Sequence, residues 1–142
     1  MKNRKSFTLL ELLVVIGLIT VLMSFGIASY STAQQKARDS KRKSDLKLLQ
    51  NSMEQYYSIC KFKYPLPVSG AFVNIVSNTT DCNVAKNILT NLKDPMGLSY
   101  ICGGTCDASG YLICPPVGAN GKYLETEDCS SSNTSCCLAN QQ

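Results

Sequence analysis

Residues 7–29 read FTLLELLVVIGLITVLMSFGIAS, twenty-three residues with a single charge, Glu11. As an α-helix rising 1.5 Å per residue, the stretch is about 34 Å long, enough to cross a bilayer core of roughly 30 Å. A backbone in hydrocarbon must satisfy its own hydrogen bonds, so a helix is the expected form. Lys2, Arg4 and Lys5 precede the run. The positive-inside rule keeps residues 1–6 in the cytoplasm and puts the bulk of the chain across the membrane.

Three readings compete for this segment. A secretory signal peptide also has a basic start and an apolar core, but the run is too long for one and carries an early carboxylate. A plain signal anchor accounts for the length and leaves Glu11 unexplained. An ionisable residue inside a membrane segment is costly and points to function. The helical neighbours of Glu11, namely Phe7, Thr8, Val14 and Val15, carry no positive charge. The expectation is therefore a charge partner on another molecule. Gly17 and Gly26 interrupt the apolar run. They fit close helix packing, and they also fit a helix that bends when subunits pack.

Outside this run the charge pattern is informative. Formal net charge is +4. Lys36, Arg38, Lys41, Arg42, Lys43 and Lys47 follow the apolar run, offset by Asp39 and Asp45. From Leu48 onward five lysines face seven acidic residues. Basicity is thus membrane-proximal and the distal part is mildly acidic. Residues 31–57 contain no Gly or Pro, and Leu46, Leu49, Met53 and Tyr56 recur at helical spacing. One helix is expected over residues 7–57, its second half amphipathic. The basic run has no interleaved aromatics for stacking on bases, so direct nucleic-acid binding is not expected. A solvated helical face is the plain reading. Pairing with the acidic distal domain of a neighbouring subunit is the functional one.

The segment KSFTLLELLVVIGLITVL closely resembles the N-terminus of type IV prepilins and pseudopilins, and the resemblance extends over residues 1–57. It implies that a prepilin peptidase removes residues 1–6, cutting between Ser6 and Phe7. It implies N-methylation of Phe7. Glu11 then falls fifth in the mature chain, where the family's glutamate neutralises the N-terminal amine of a neighbouring subunit during assembly. Ser6 departs from the family's usual Gly before the cut. Further on, LTNLKDPMGLSYIC resembles the stretch where an Asp-Pro loop leads into the pseudopilin sheet.

Beyond residue 57 Pro and Gly punctuate the chain. Residues 71–77 read as strand or loop and 84–92 as a short helix. Residues 98–102, 110–114 and 122–126 read as three short antiparallel strands. The last segment reads as a polar loop or tail. Cys60, Cys82, Cys102, Cys106, Cys114, Cys129, Cys136 and Cys137 all follow the apolar run. An even number of cysteines in a small exported domain implies a disulfide framework, which staples a thin core. Eight cysteines allow 105 pairings, so connectivity stays open. Cys102 with Cys106 would clamp the Gly103–Gly104 turn, and adjacent Cys136 and Cys137 suit different partners. Zinc would need a second close ligand pair beside Cys102, Cys106 and Cys114, which only the vicinal cysteines supply.

Asn120, Glu125, Glu127 and Asp128 form an acidic patch. Oxygen-rich loops can hold Ca²⁺, but no complete loop motif is present, so a solvated acidic surface and no cofactor are expected. The chain has no histidine, no Gly-rich phosphate loop and no spaced metal ligands, which speaks against an enzyme.

The expected architecture is α+β. A leader (1–6) precedes a membrane and assembly helix (7–29) and its amphipathic continuation (30–57). This helix packs on a disulfide-rich domain (58–142) with a short antiparallel sheet. The expected function is structural: a subunit first held in the cytoplasmic membrane with its N-terminus inside, then joined to like subunits in an extracellular pilus or related filament. Such filaments serve adhesion, motility, DNA uptake or secretion. The expected partners are other pilins, the prepilin peptidase and the assembly machinery. The rival is a single-pass, membrane-anchored binding protein that never polymerises.

Overall fold

The structure is a computed structural model. It describes residues 7–72, 74–76, 82, 87–118, 121–127, 129 and 134–140. One helix, α1, runs from Leu9 to Ile59, close to the expected span. The chain forms two compact units, Met1–Gln35 and Lys36–Gln142.

The first unit is helical and exposes its apolar side chains. Leu9, Leu22 and Phe25 are each more than 70% exposed. The helix passes through Gly17 and Gly26 without interruption. The Thr20 hydroxyl donates to the Gly17 carbonyl at 2.8 Å, and the Ser24 hydroxyl to the Val21 carbonyl at 2.7 Å. These two polar groups are satisfied by their own helix, as an apolar surrounding demands.

In the second unit α1 buries the expected stripe. Leu46, Leu49, Met53 and Tyr56 are all buried, followed by Cys60. They pack with Tyr64, Phe72, Ile75, Tyr100, Tyr111 and Ile113. The helix ends in a Schellman motif. The Phe62 N–H donates to the Tyr57 carbonyl at 3.1 Å. Lys61 takes the left-handed position (φ 53°) that glycine usually fills. The Phe62 ring meets Tyr57 edge-on with centroids 5.5 Å apart, which is the apolar contact of that motif.

Among the described residues six short strands follow: β1 (Ala71–Phe72), β2 (Ile75–Val76), β3 (Asn87–Leu89), β4 (Tyr100–Cys102), β5 (Leu112–Cys114) and β6 (Leu138–Ala139). An antiparallel sheet has the order β1-β4-β5-β6, and β2 with β3 makes a separate antiparallel pair. Punctuation keeps the strands short. Gly103 and Gly104 close β4, and Pro115 and Pro116, which lack ladder N–H groups, close β5. The architecture is the expected α+β arrangement of a long helix and a small antiparallel sheet.

Three local expectations are corrected. Residues 84–92 do not form a helix where they are described: Asn87–Leu89 is strand β3, paired with β2. Ile88 and Leu89 pack against the main core there, and tertiary pairing overrides a weak local helical pattern. Residues 84–86 lie outside the described residues, as does part of 71–77. Residues 122–126 are not a strand. The Glu125 and Thr126 N–H groups donate to the Asp39 carboxylate at 2.8–3.0 Å instead of to a neighbouring strand. Residues 134–140 are not a plain polar tail. They contain a 3-10 turn, Thr134–Cys136, and then β6, which closes the sheet edge against β5.

Four cysteine pairs lie at disulfide distance: Cys60–Cys82, Cys102–Cys106, Cys114–Cys137 and Cys129–Cys136. Their Cα separations are 4.4, 6.2, 4.3 and 5.8 Å. Cys102–Cys106 spans the Gly103–Gly104 turn, and the vicinal pair Cys136 and Cys137 turn to different partners. A Cβ on Gly103 would overlap the Cys114 sulfur, so this turn admits only glycine beside that pair.

Candidate functional site

Each unit holds one group of chemistry-bearing residues. In the first, Phe7 and Glu11 are exposed and Ser6 lies outside the described residues. Thr8 precedes the first helical residue. Its hydroxyl accepts from the Glu11 N–H at 3.2 Å. In return, the Thr8 hydroxyl and N–H both donate to Glu11 Oε2, at 3.0 and 3.3 Å. This is a capping box, with Thr at the cap and Glu at the third helical position. It satisfies donors that the helix start leaves without partners. Glu11 is therefore engaged within its own helix by hydrogen bonds, though by no positive charge. Two neutral hydrogen bonds hold one carboxylate oxygen, and no cation among the described residues meets the other. The signal is present in the sequence as T-x-x-E ahead of an apolar run.

The second group lies in the Lys36–Gln142 unit and is centred on Arg42. Its side chain is only 2% exposed, an uncommon state for an arginine. Nη2 and Nε donate to Asp94 Oδ2 at 3.0 and 3.3 Å. Nη1 donates to Asp39 Oδ1 at 3.1 Å and to Glu125 Oε1 at 3.3 Å. Arg38 grips the same Glu125 with two bonds, at 2.7 and 2.5 Å. One turn further along, Asp45 accepts from Lys41 at 2.6 Å and from the Tyr100 hydroxyl at 2.9 Å.

Each carboxylate also orders backbone. Asp94 Oδ1 accepts from the Met96 and Leu98 N–H groups at 3.0 and 2.7 Å, shaping the Asp-Pro loop that leads into β4. Asp39 takes the Glu125 and Thr126 N–H groups and the Thr126 hydroxyl. Among the described residues, no buried side-chain nitrogen or oxygen lacks a partner. The cluster therefore ties two loops to one helix face.

The electrostatics follow from these partners. Burial works against the charged form of Asp39. The hydrogen bonds from Glu125 and Thr126 and the charge of Arg42 outweigh it and hold the carboxyl below its usual range. The Glu125 carboxyl is held low first by its bond to Arg38, against burial, with the charges of Arg38 and Arg42 adding to it. Burial, and then the bond to Asp45, raise the Tyr100 hydroxyl far above its ordinary value.

This geometry shows that part of the basic run is used within its own chain. Arg38, Arg42 and Lys43 pair with Glu125, Asp94 and Glu127 of their own chain. It also corrects the solvated helical face, because Asp39, Arg42 and Asp45 are buried. Nor is the acidic patch simply solvated: both Glu125 oxygens face arginine, and Glu127 meets Lys43. Asn120 and Asp128 lie outside the described residues. Glu127, Cys129 and Cys136 place three donor atoms within 4.8 Å of one another. With the two sulfurs paired to each other, a single carboxylate remains, too little for a zinc centre.

The buried charges were legible in principle. Asp39, Arg42, Leu46, Leu49, Met53, Tyr56 and Cys60 recur at alternating spacings of three and four, so the core stripe begins with two charged positions.

No curated protein and no solved structure matches the chain. Residues 1–27 match the family model described as the prokaryotic N-terminal methylation motif, and the chain thus carries the leader motif of type IV pilins and pseudopilins.

Proposed function

We propose that the chain is a structural subunit of a type IV pilus or a related filament. The observation that carries this reading is the leader motif joined to an apolar helix whose large side chains are exposed. The prepilin peptidase removes residues 1–6, and Phe7 becomes the methylated N-terminus. The subunit waits in the cytoplasmic membrane with its leader inside. It then enters a filament whose centre is a bundle of these helices. Glu11 Oε1, which the capping box leaves open, is the acceptor for the amine of a neighbouring subunit. The four cysteine pairs are disulfides in the exported domain, where each typically contributes about 2–4 kcal/mol.

The test is mass spectrometry of the exported chain together with fibre counts. Methylated Phe7 at the N-terminus, and loss of fibres in Glu11→Ala, support the reading. An intact Met1 in exported chain, or normal fibres in Glu11→Ala, defeats it.

The capping box favours one second reading. It gives Glu11 a task within its own helix, so a membrane-anchored binding protein that never polymerises also accounts for this residue. Under that reading, Glu11→Gln, which can still accept from Thr8, behaves as the parent in every assay.

A further inference from the structure

We propose that the loop over residues 61–68 is a docking surface for an anionic lipid bilayer. The loop reads KFKYPLPV and follows the end of α1. Phe62, Leu66 and Val68 are 73%, 65% and 77% exposed. Lys61 and Lys63, also exposed, are the only charged residues between Glu54 and Asp81. The loop itself thus carries two lysines and no carboxylate, and the Glu54 carboxylate accepts from Tyr64 on its inner side.

The apolar side chains are held outward on a fixed backbone. The Phe62 N–H is bonded to Tyr57, that of Lys63 to Cys60 and that of Tyr64 to Ala108. Val68 and Ala71 exchange two bonds of 3.0 Å. Tyr64 faces inward, with its hydroxyl on Glu54 and its ring stacked on Tyr57. Lys61, Phe62 and Ser69 all adopt left-handed backbone, which side chains other than glycine disfavour. The Schellman motif accounts for Lys61 and for the contact of Phe62 with Tyr57, but not for Leu66 and Val68 left in water.

The composition selects the partner. Phenyl, leucyl and valyl groups flanked by ammonium groups match a lipid interface, where apolar groups enter the acyl boundary and lysines meet anionic headgroups. A single-stranded nucleic acid would use several stacking rings, and this loop exposes only Phe62. Leu66 and Val68 offer such a ligand neither a stacking face nor a hydrogen bond. The surface stands independently of filament assembly, because either reading of the function displays this loop.

The test uses the full chain held in neutral phosphatidylcholine nanodiscs, which occupy its apolar helix. Sedimentation then measures capture by separate vesicles of phosphatidylcholine with or without phosphatidylglycerol. Capture should be about tenfold stronger with phosphatidylglycerol and should fall as salt rises. Leu66→Ser/Val68→Ser, away from the helix cap, should lower it by about tenfold at unchanged thermal stability. Lys61→Gln/Lys63→Gln should bring it to the level of neutral vesicles. Equal capture by both vesicle types overturns the proposal. So does capture that Leu66→Ser/Val68→Ser leaves unchanged, or association only between nanodiscs carrying this chain.

Discussion

Arg42 on α1 donates to Asp94 Oδ2 at 3.0 Å across 52 residues of chain, and both side chains are almost completely buried. The pair anchors the Asp-Pro loop to the helix. Through Glu125 the same guanidinium also anchors the loop around residues 123–127. Removing one partner of a buried pair leaves the others uncompensated, at a cost of about 3–5 kcal/mol. Arg42→Leu should therefore lower the thermal midpoint sharply. Lys43→Ala removes an exposed pair with Glu127 and should cost under about 1 kcal/mol. Thermal unfolding of the detergent-solubilised chain decides. Equal losses for the two variants would remove Arg42 from its central role.

Acid should loosen the same region. The Asp39 and Glu125 carboxyls titrate below their unfolded range. Their ionised forms therefore stabilise the fold above the unfolded value of about 4, and that stabilisation is lost as pH falls through the lower folded values. The midpoint should drop as pH falls below about 4, the unfolded carboxyl value. Asp39→Asn should flatten that slope. A slope identical to the parent's would count against the assignment.

The capping box at the start of α1 has its own signature. Thr8→Val should weaken the first turn by about 1 kcal/mol, and Thr8→Ser should preserve it. Amide exchange of residues 9–12 in micelles reads this directly. Faster exchange in Thr8→Val than in Thr8→Ser is the expected result, and indistinguishable rates would refute it.

Glycine at 103 is required for a reason separate from backbone conformation. A Cβ there would strike the Cys114 sulfur. Gly103→Ala should cost about 1–3 kcal/mol through overpacking and disturb the Cys114–Cys137 pair. Gly121, at φ 73° in open space, should respond to alanine with a loss of about 1–2 kcal/mol and intact pairing. Non-reducing peptide mapping separates the two outcomes.

At the far end of α1, glycine should be an improvement. Lys61 occupies a left-handed position, and Lys61→Gly should stabilise the domain by about 1 kcal/mol or slightly more. A lower thermal midpoint in that variant would mean that the lysine side chain contributes more than its backbone costs.

The sequence was most legible where a signal was local. The apolar run, the absence of Gly and Pro from residues 31–57, and the stripe from Leu46 to Tyr56 gave one long helix and its buried face. Gly103–Gly104 and Pro115–Pro116 bounded the two central strands. Residues 84–92 misled because a weak helical pattern competes poorly with pairing to β2. Residues 122–126 alternate like a strand, yet Asp39 takes the Glu125 and Thr126 N–H groups and the Cys129 carbonyl that of Tyr123.

Sequence alone settled the membrane-length helix, the early carboxylate on it, and the division between a basic junction and a mildly acidic distal part. These depend on residues a few positions apart and on composition. Only the tertiary structure decided that Arg38, Arg42 and Lys43 of the basic junction pair with distal carboxylates of their own chain. It also chose among the 105 possible cysteine pairings and brought Arg42 to Asp94 and Glu125. Those partners lie 52 and 83 residues apart. No periodicity joins positions so distant, because the folding of the intervening loops sets which side chains meet.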